Sequence, residues 1–137
     1  MKRVITLSNN IARTNISGAD NVDIDNIDSV INCSVDTIFA YILEFIPQNN
    51  FTDVLKKVAS KLRQGGDLYI KFTDYKNICN MYTKNEITDN DLLNFFRGKS
   101  NIISIDTITS LLDHKYSVSK IDFVDGFITM SVQRTQL

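Results

Sequence analysis

Val35 to Ile46 is almost continuously apolar, with Ile38, Phe39, Ala40, Tyr41, Ile42 and Leu43 at its centre. A run like this has no polar side to give to water. It fits a strand buried on both faces, as in a parallel sheet covered by helices. Pro47, the only proline in the chain, stops it. A proline offers no N–H to a ladder, so the strand ends there. A buried parallel strand then commits the rest of the chain, because its neighbours are reached only through long crossovers, usually helical.

The sequence beyond Pro47 supplies such a crossover. Phe51, Val54, Leu55, Val58, Ala59 and Leu62 recur at helical spacing and form one apolar stripe over 51–63. Gln64-Gly65-Gly66 reads as its C-cap, since glycine enters the left-handed region without penalty. Leu68, Ile70 and Phe72 then alternate through Asp67–Thr73, the period of a strand. Upstream, Arg3–Leu7 reads as a strand and Ser8–Asp20 as loop. Val22 and Ile24 suggest a second short strand, and 26–34 fits either a strand fragment or a helical turn. Downstream, short helices are predicted over 75–83 and 89–97. A further one is marked by Ile105, Ile108, Leu111 and Leu112, with Ser104 as N-cap. Strands near 117–123 and 127–133 meet at Asp125-Gly126, a hairpin signal. The fold class is therefore α/β: a Rossmann-like three-layer sandwich, mostly parallel, with an antiparallel C-terminal hairpin, in one domain over 1–137.

Composition narrows the function classes. With 43% hydrophobic and 23% charged residues the chain can bury a core unaided. Its formal net charge of −1 gives no field for nucleic acid or an anionic membrane. Lys56, Lys57, Lys61 and Arg63 read as the solvated face of the helix. Cys33 and Cys79 lack metal-site spacing and read as buried, reduced thiols, with one disulfide between them as the alternative. The apolar run after Lys2-Arg3 is too short for a leader or a membrane span, so a cytoplasmic location is expected. The acids are nearly all Asp, and Asn and Ile abound. That bias suggests an AT-rich genome such as a virus or phage carries, with the host cytoplasm as the location in that case.

Two segments carry a family likeness. Ser34–Ile46 (SVDTIFAYILEFI) resembles the "SVDEIYASHVLEHI" stretch of small class I methyltransferases that use S-adenosylmethionine (SAM). Lys61–Ile70 (KLRQGGDLYI) resembles the same family's "VLKPGGRLYI" turn into a strand. The likeness is good over 34–75, extends to the C-terminus, and thins before residue 30. Carried backwards, Val4–Asn10 falls on the family's first strand and its "LNIGCG" cofactor loop, and Asn21–Ile24 on its "NVDI".

The resemblance implies SAM as cofactor and four residues near it. Ser8 and Asn10 stand where the loop has glycines, whose lack of a side chain lets backbone approach the ligand. Asp23 would accept the ribose hydroxyls. Glu44 takes the place of the acid in the family's "LEH" step, with Phe45 in place of its histidine. The family's third strand bears an acid near the adenine, and 25–33 is too short to hold that strand. Asp74, at a strand end, and His114, the only histidine, are further candidates, with helix capping as the plainer reading for the histidine. Two functions fit these residues. One is a minimal methyltransferase of unnamed acceptor, with weak or lost activity. The other is an inactive protein of the same fold that binds a protein partner or its own copy. Neither calls for a membrane or nucleic acid as partner.

Overall fold

A computed structural model describes residues 2–137. Six strands form one sheet: β1 (Val4–Ser8), β2 (Asp20–Asp23), β3 (Val35–Ala40), β4 (Leu62–Thr73), β5 (Tyr116–Val124) and β6 (Phe127–Arg134), in the order β2-β1-β3-β4-β6-β5. The first four are parallel, and β6 runs antiparallel to β4 and β5. The helices are α1 (Gln48–Ser60), α2 (Tyr75–Thr83), α3 (Asp89–Phe96) and α4 (Ile105–Leu111). This is the expected Rossmann-like α/β sheet with its antiparallel hairpin. Asp125 and Gly126 both have positive φ, 53° and 83°, the turn geometry that follows strand twist.

The alternation along β3, β4 and β6 sends Ile38, Ala40, Leu68, Ile70, Phe72, Met130 and Val132 to one face, all buried. There they join Phe51, Leu55, Val58 and Ala59 of α1 and Ile108 of α4 in one core. The other face is more thinly covered. The 9–19 loop lies over the β1–β2 end, where Thr14 N–H donates to Ser8 Oγ and Asn21 Nδ2 donates to Thr14 O. Phe95 of α3 reaches Phe127, with ring centroids 6.0 Å apart. Between them Phe39 and Tyr69 stack at 5.2 Å, and Lys71 lies over Phe127, all partly open to solvent.

Several expectations shift. The apolar run is a strand only to Ala40 rather than to Pro47, and Leu43–Phe45 turn as a 3₁₀ helix. The crossover helix runs over 48–60 rather than 51–63, because Leu62 pairs with Val35 instead of extending the helix. The N–H groups of Ser34 and Val35 both bond Lys61 O, which fixes that exchange. Gly65-Gly66 therefore lies inside β4. A Cβ on Gly66 would stand 3.0 Å from the carbonyl oxygens of Arg63 and Asp36, so only glycine fits where the strands close. Lys56 and Lys57 form the expected solvated helix face, Lys57 meeting Asp28 in an exposed pair, whereas Lys61 is buried and reaches Asn32, and Arg63 lies in β4 and meets Asp36. Both cysteines are free and exposed, not buried. Cys33 occupies a positive-φ turn (57°) before β3, and Cys79 lies on the solvent side of α2.

Candidate functional site

The chain leaves β1 for β2 on one side and returns to β3 on the other, so the strand order reverses at β1. Open α/β sheets bind ligands in the crevice beyond the carboxyl ends at such a point. Here that crevice is a cavity of 340 Å³ lined by Asn10, Ile11, Asp25, Pro47, Asn50 and Ser100, among others. That volume is at the lower end for a small-molecule site.

The loop after β1 is held by Asn9, 8% exposed. Its Oδ1 accepts from the N–H groups of Ile11 (3.0 Å) and Ala12 (2.7 Å), and its own N–H bonds Ala12 O. Its Nδ2 donates to Phe45 O beyond β3, at 3.4 Å. One side chain thus bridges the ends of the two strands that flank the crevice. An Asx turn after a strand is the signal that marks this residue in sequence.

Three of the four residues implied by the resemblance lie together, with Ser8 and Asp23 register partners at the carboxyl ends of β1 and β2 and Asn10 in the loop that follows, while Glu44 lies apart from them. Asn10 is exposed and lines the cavity. Ser8 closes β1, buried, its Oγ accepting from Thr14. Asp23 closes β2, and its carboxylate accepts from Asp25 N–H at 2.9 Å, capping a 3₁₀ helix over Ile24–Ser29. That 3₁₀ helix occupies the place of a third strand, and β2 is the last strand on that side. SAM needs open backbone at the first loop and a free acid at the second strand. Asn9 turns the first loop back on itself, whereas Asp23 engages only Oδ1 among the described residues and keeps its other carboxylate oxygen beside Ser8.

Glu44 belongs to a different cluster. It sits in the 3₁₀ turn Leu43–Phe45, 3% exposed, and does not line the cavity. Its carboxylate accepts from the N–H and Oγ1 of Thr73 and from the Tyr75 hydroxyl at 3.0 Å. Lys99 Nζ stands 3.2 Å from Oε2, with its side chain 11% exposed. The Glu44 carbonyl also accepts from Ser100 and Asn101 N–H. Four parts of the chain meet on this one residue: the ends of β3 and β4, the start of α2, and the 97–103 segment. Burial, then the charge of Glu44 and its hydrogen bond, push the Tyr75 hydroxyl up to about 12. Beside the cluster lies an open cavity of 520 Å³ between Gln48, Tyr75, Phe96 and Ile102. Asp74 caps α2 by accepting from Asn77 N–H, and His114 is exposed in the turn before β5.

No family model matches the chain, and no curated protein matches it in sequence. Solved structures match it in fold. A SAM-dependent methyltransferase from Archaeoglobus fulgidus aligns over 96% of this chain and 86% of its own, at 9% identity and TM-score 0.62. One from Thermotoga maritima aligns over 85% of this chain and 64% of its own, at 15% identity and TM-score 0.56. A type 11 methyltransferase from Sulfolobus solfataricus aligns over 86% of this chain at 11% identity and TM-score 0.56. The chain spans only 60% of that protein's length. By sheet order, antiparallel hairpin and these alignments, the chain has the fold of the SAM-dependent methyltransferases.

Proposed function

We propose that this protein keeps the methyltransferase fold without its methyl-donor site, and acts by binding a partner rather than by transferring a methyl group. The observation that carries this reading is Asn9, whose side chain joins the two strand ends across the crevice. Core packing and ligand loops are separate demands on a sequence, so one is lost without the other. Calorimetric titration with SAM and with S-adenosylhomocysteine tests it. The wild type gives no heat of binding at millimolar ligand while circular dichroism shows it folded. Micromolar binding, weakened in Asp23→Ala, overturns the reading.

One observation favours a second reading, a minimal methyltransferase of unnamed acceptor. The 340 Å³ cavity does lie at the switch point, with Asn10 and Asp25 on its wall. In that case Asn9→Gly strengthens SAM binding by freeing the Ile11 and Ala12 N–H groups, and methyl transfer from labelled SAM becomes worth assaying.

A further inference from the structure

The two edges of the sheet differ in a way that points to a partner. β2, at one edge, has four residues, two of them Asp, and ends in a 3₁₀ helix. Short, charged edges of this kind resist pairing with another chain. β5, at the other edge, has nine residues, and its outer side pairs with nothing among the described residues. It exposes Val118 (36%), Ile121 (36%), Phe123 (63%) and Val124 (59%). Ile102, 66% exposed, faces Phe123 across an apolar cavity of 500 Å³. Beyond an irregularity at Ser119, the exposed apolar side chains and unpaired N–H and C=O groups of β5 make it a template for strand addition.

The charges on β5 name the occupant. Lys120 and Asp122 flank Ile121, share one face of the sheet, and lie 3.5 Å apart in an exposed ion pair. We infer that two copies of the chain pair antiparallel along β5, about a two-fold axis at Ile121, in one continuous sheet with six strands from each copy. An axis there sets Ile121 against its own copy. It sets Lys120 against the partner's Asp122, and Asp122 against the partner's Lys120. An axis one residue to either side sets like charges face to face, which disfavours those registers. Lys120 is the kind of residue that guards an edge, and in this register the second copy neutralises the guard. A two-fold normal to the sheet leaves each face on its own side, so the Ile121 and Phe123 side chains of both copies extend one apolar surface. The inference stands apart from the reading of the donor crevice, which lies at the other end of the sheet.

Sedimentation equilibrium on the full chain and two charge variants tests the pairing and its register together. Both positions are exposed, and circular dichroism verifies that each variant is folded. The wild type is a dimer in the micromolar range. Lys120→Asp and Asp122→Lys each place two like-charge pairs at the axis and weaken self-association about tenfold. An equimolar mixture of the two variants recovers association, because each then presents the charges the other lacks. A monomeric wild type overturns the inference, and so does a dimer indifferent to both substitutions. A mixture that stays monomeric overturns the register.

Discussion

The stretch from Val35 to Thr73 and the stretch from Ser8 to Ser34 answer different demands. In the first, Val35, Ile38, Ala40, Ile42, Leu43, Leu55, Val58, Leu62, Leu68 and Ile70 are all wholly buried. Its rim is closed by the Glu44 cluster, where every lone pair of a buried carboxylate meets a donor or a cation. In the second, the buried apolar residues are Ile27 and Val30, and the crevice is edged by polar turns at Ser8, Asn9 and Asp23. The first stretch makes most of the core and one wall of the crevice; the second supplies the loops that form its other wall. A chain under pressure only to fold can keep the one and rewrite the other.

Five single substitutions and one double variant sharpen or break that contrast, and urea unfolding monitored by circular dichroism reads the stability change in each. Lys99→Met leaves the Glu44 carboxylate buried and unpaired, and costs about 3–5 kcal/mol. The double variant Glu44→Leu/Lys99→Met recovers much of that, since an apolar pair demands no desolvation. If the single variant costs under 1 kcal/mol, the cluster is not what closes this rim. Leu55→Ala, in the core against the sheet, costs about 2–5 kcal/mol. Val22→Ala, half-buried on β2, costs about 1 kcal/mol or less. Equal losses from those two would erase the contrast between the stretches.

Asn9→Ala removes two accepted bonds and one donated bond, for a loss of about 1–2 kcal/mol. Tyr75→Phe costs about 1 kcal/mol near pH 8, for one hydrogen bond to Glu44. It also changes the alkaline limb. The Tyr75 hydroxyl, ordinarily at 10, is raised to about 12 in the fold, so the folded state holds that proton more tightly than the unfolded chain. Its contribution is complete below pH 10 and is lost as pH climbs from 10 to about 12. The Phe variant therefore loses less stability over that window than the wild type. Parallel pH profiles would contradict the burial of Tyr75 against Glu44.

Much of the first stretch was legible in sequence because its signals are local. The apolar run from Val35 and the stripe of α1 each name their own structure within a few residues, as the Asp-Gly hairpin does outside that stretch, although the strand stops at Ala40 and not at Pro47. The errors lie where a tertiary contact outbids a local pattern. Leu62 continues the helical stripe, yet pairing with Val35 draws it into β4, and Gly65-Gly66 then serves strand contact rather than a helix cap. The Glu44 cluster was illegible because its partners Thr73, Tyr75 and Lys99 are brought to it only by the fold. Ser8, Asn10 and Asp23 were readable as the strand-end residues they are. The closing residue, Asn9, lies between two of them. Its role depends on Phe45, which no local pattern connects to it.

The most direct test of the central claim, that Asn9 closes the donor crevice of an intact fold, is amide-resolved NMR titration with S-adenosylhomocysteine. The account predicts that the amides of Ser8–Ala12, Asp23–Asp25 and Phe45–Ile46 hold their shifts to millimolar ligand in the wild type. Saturable shifts at those same amides with micromolar ligand would contradict it, and would place a working cofactor site at the switch point.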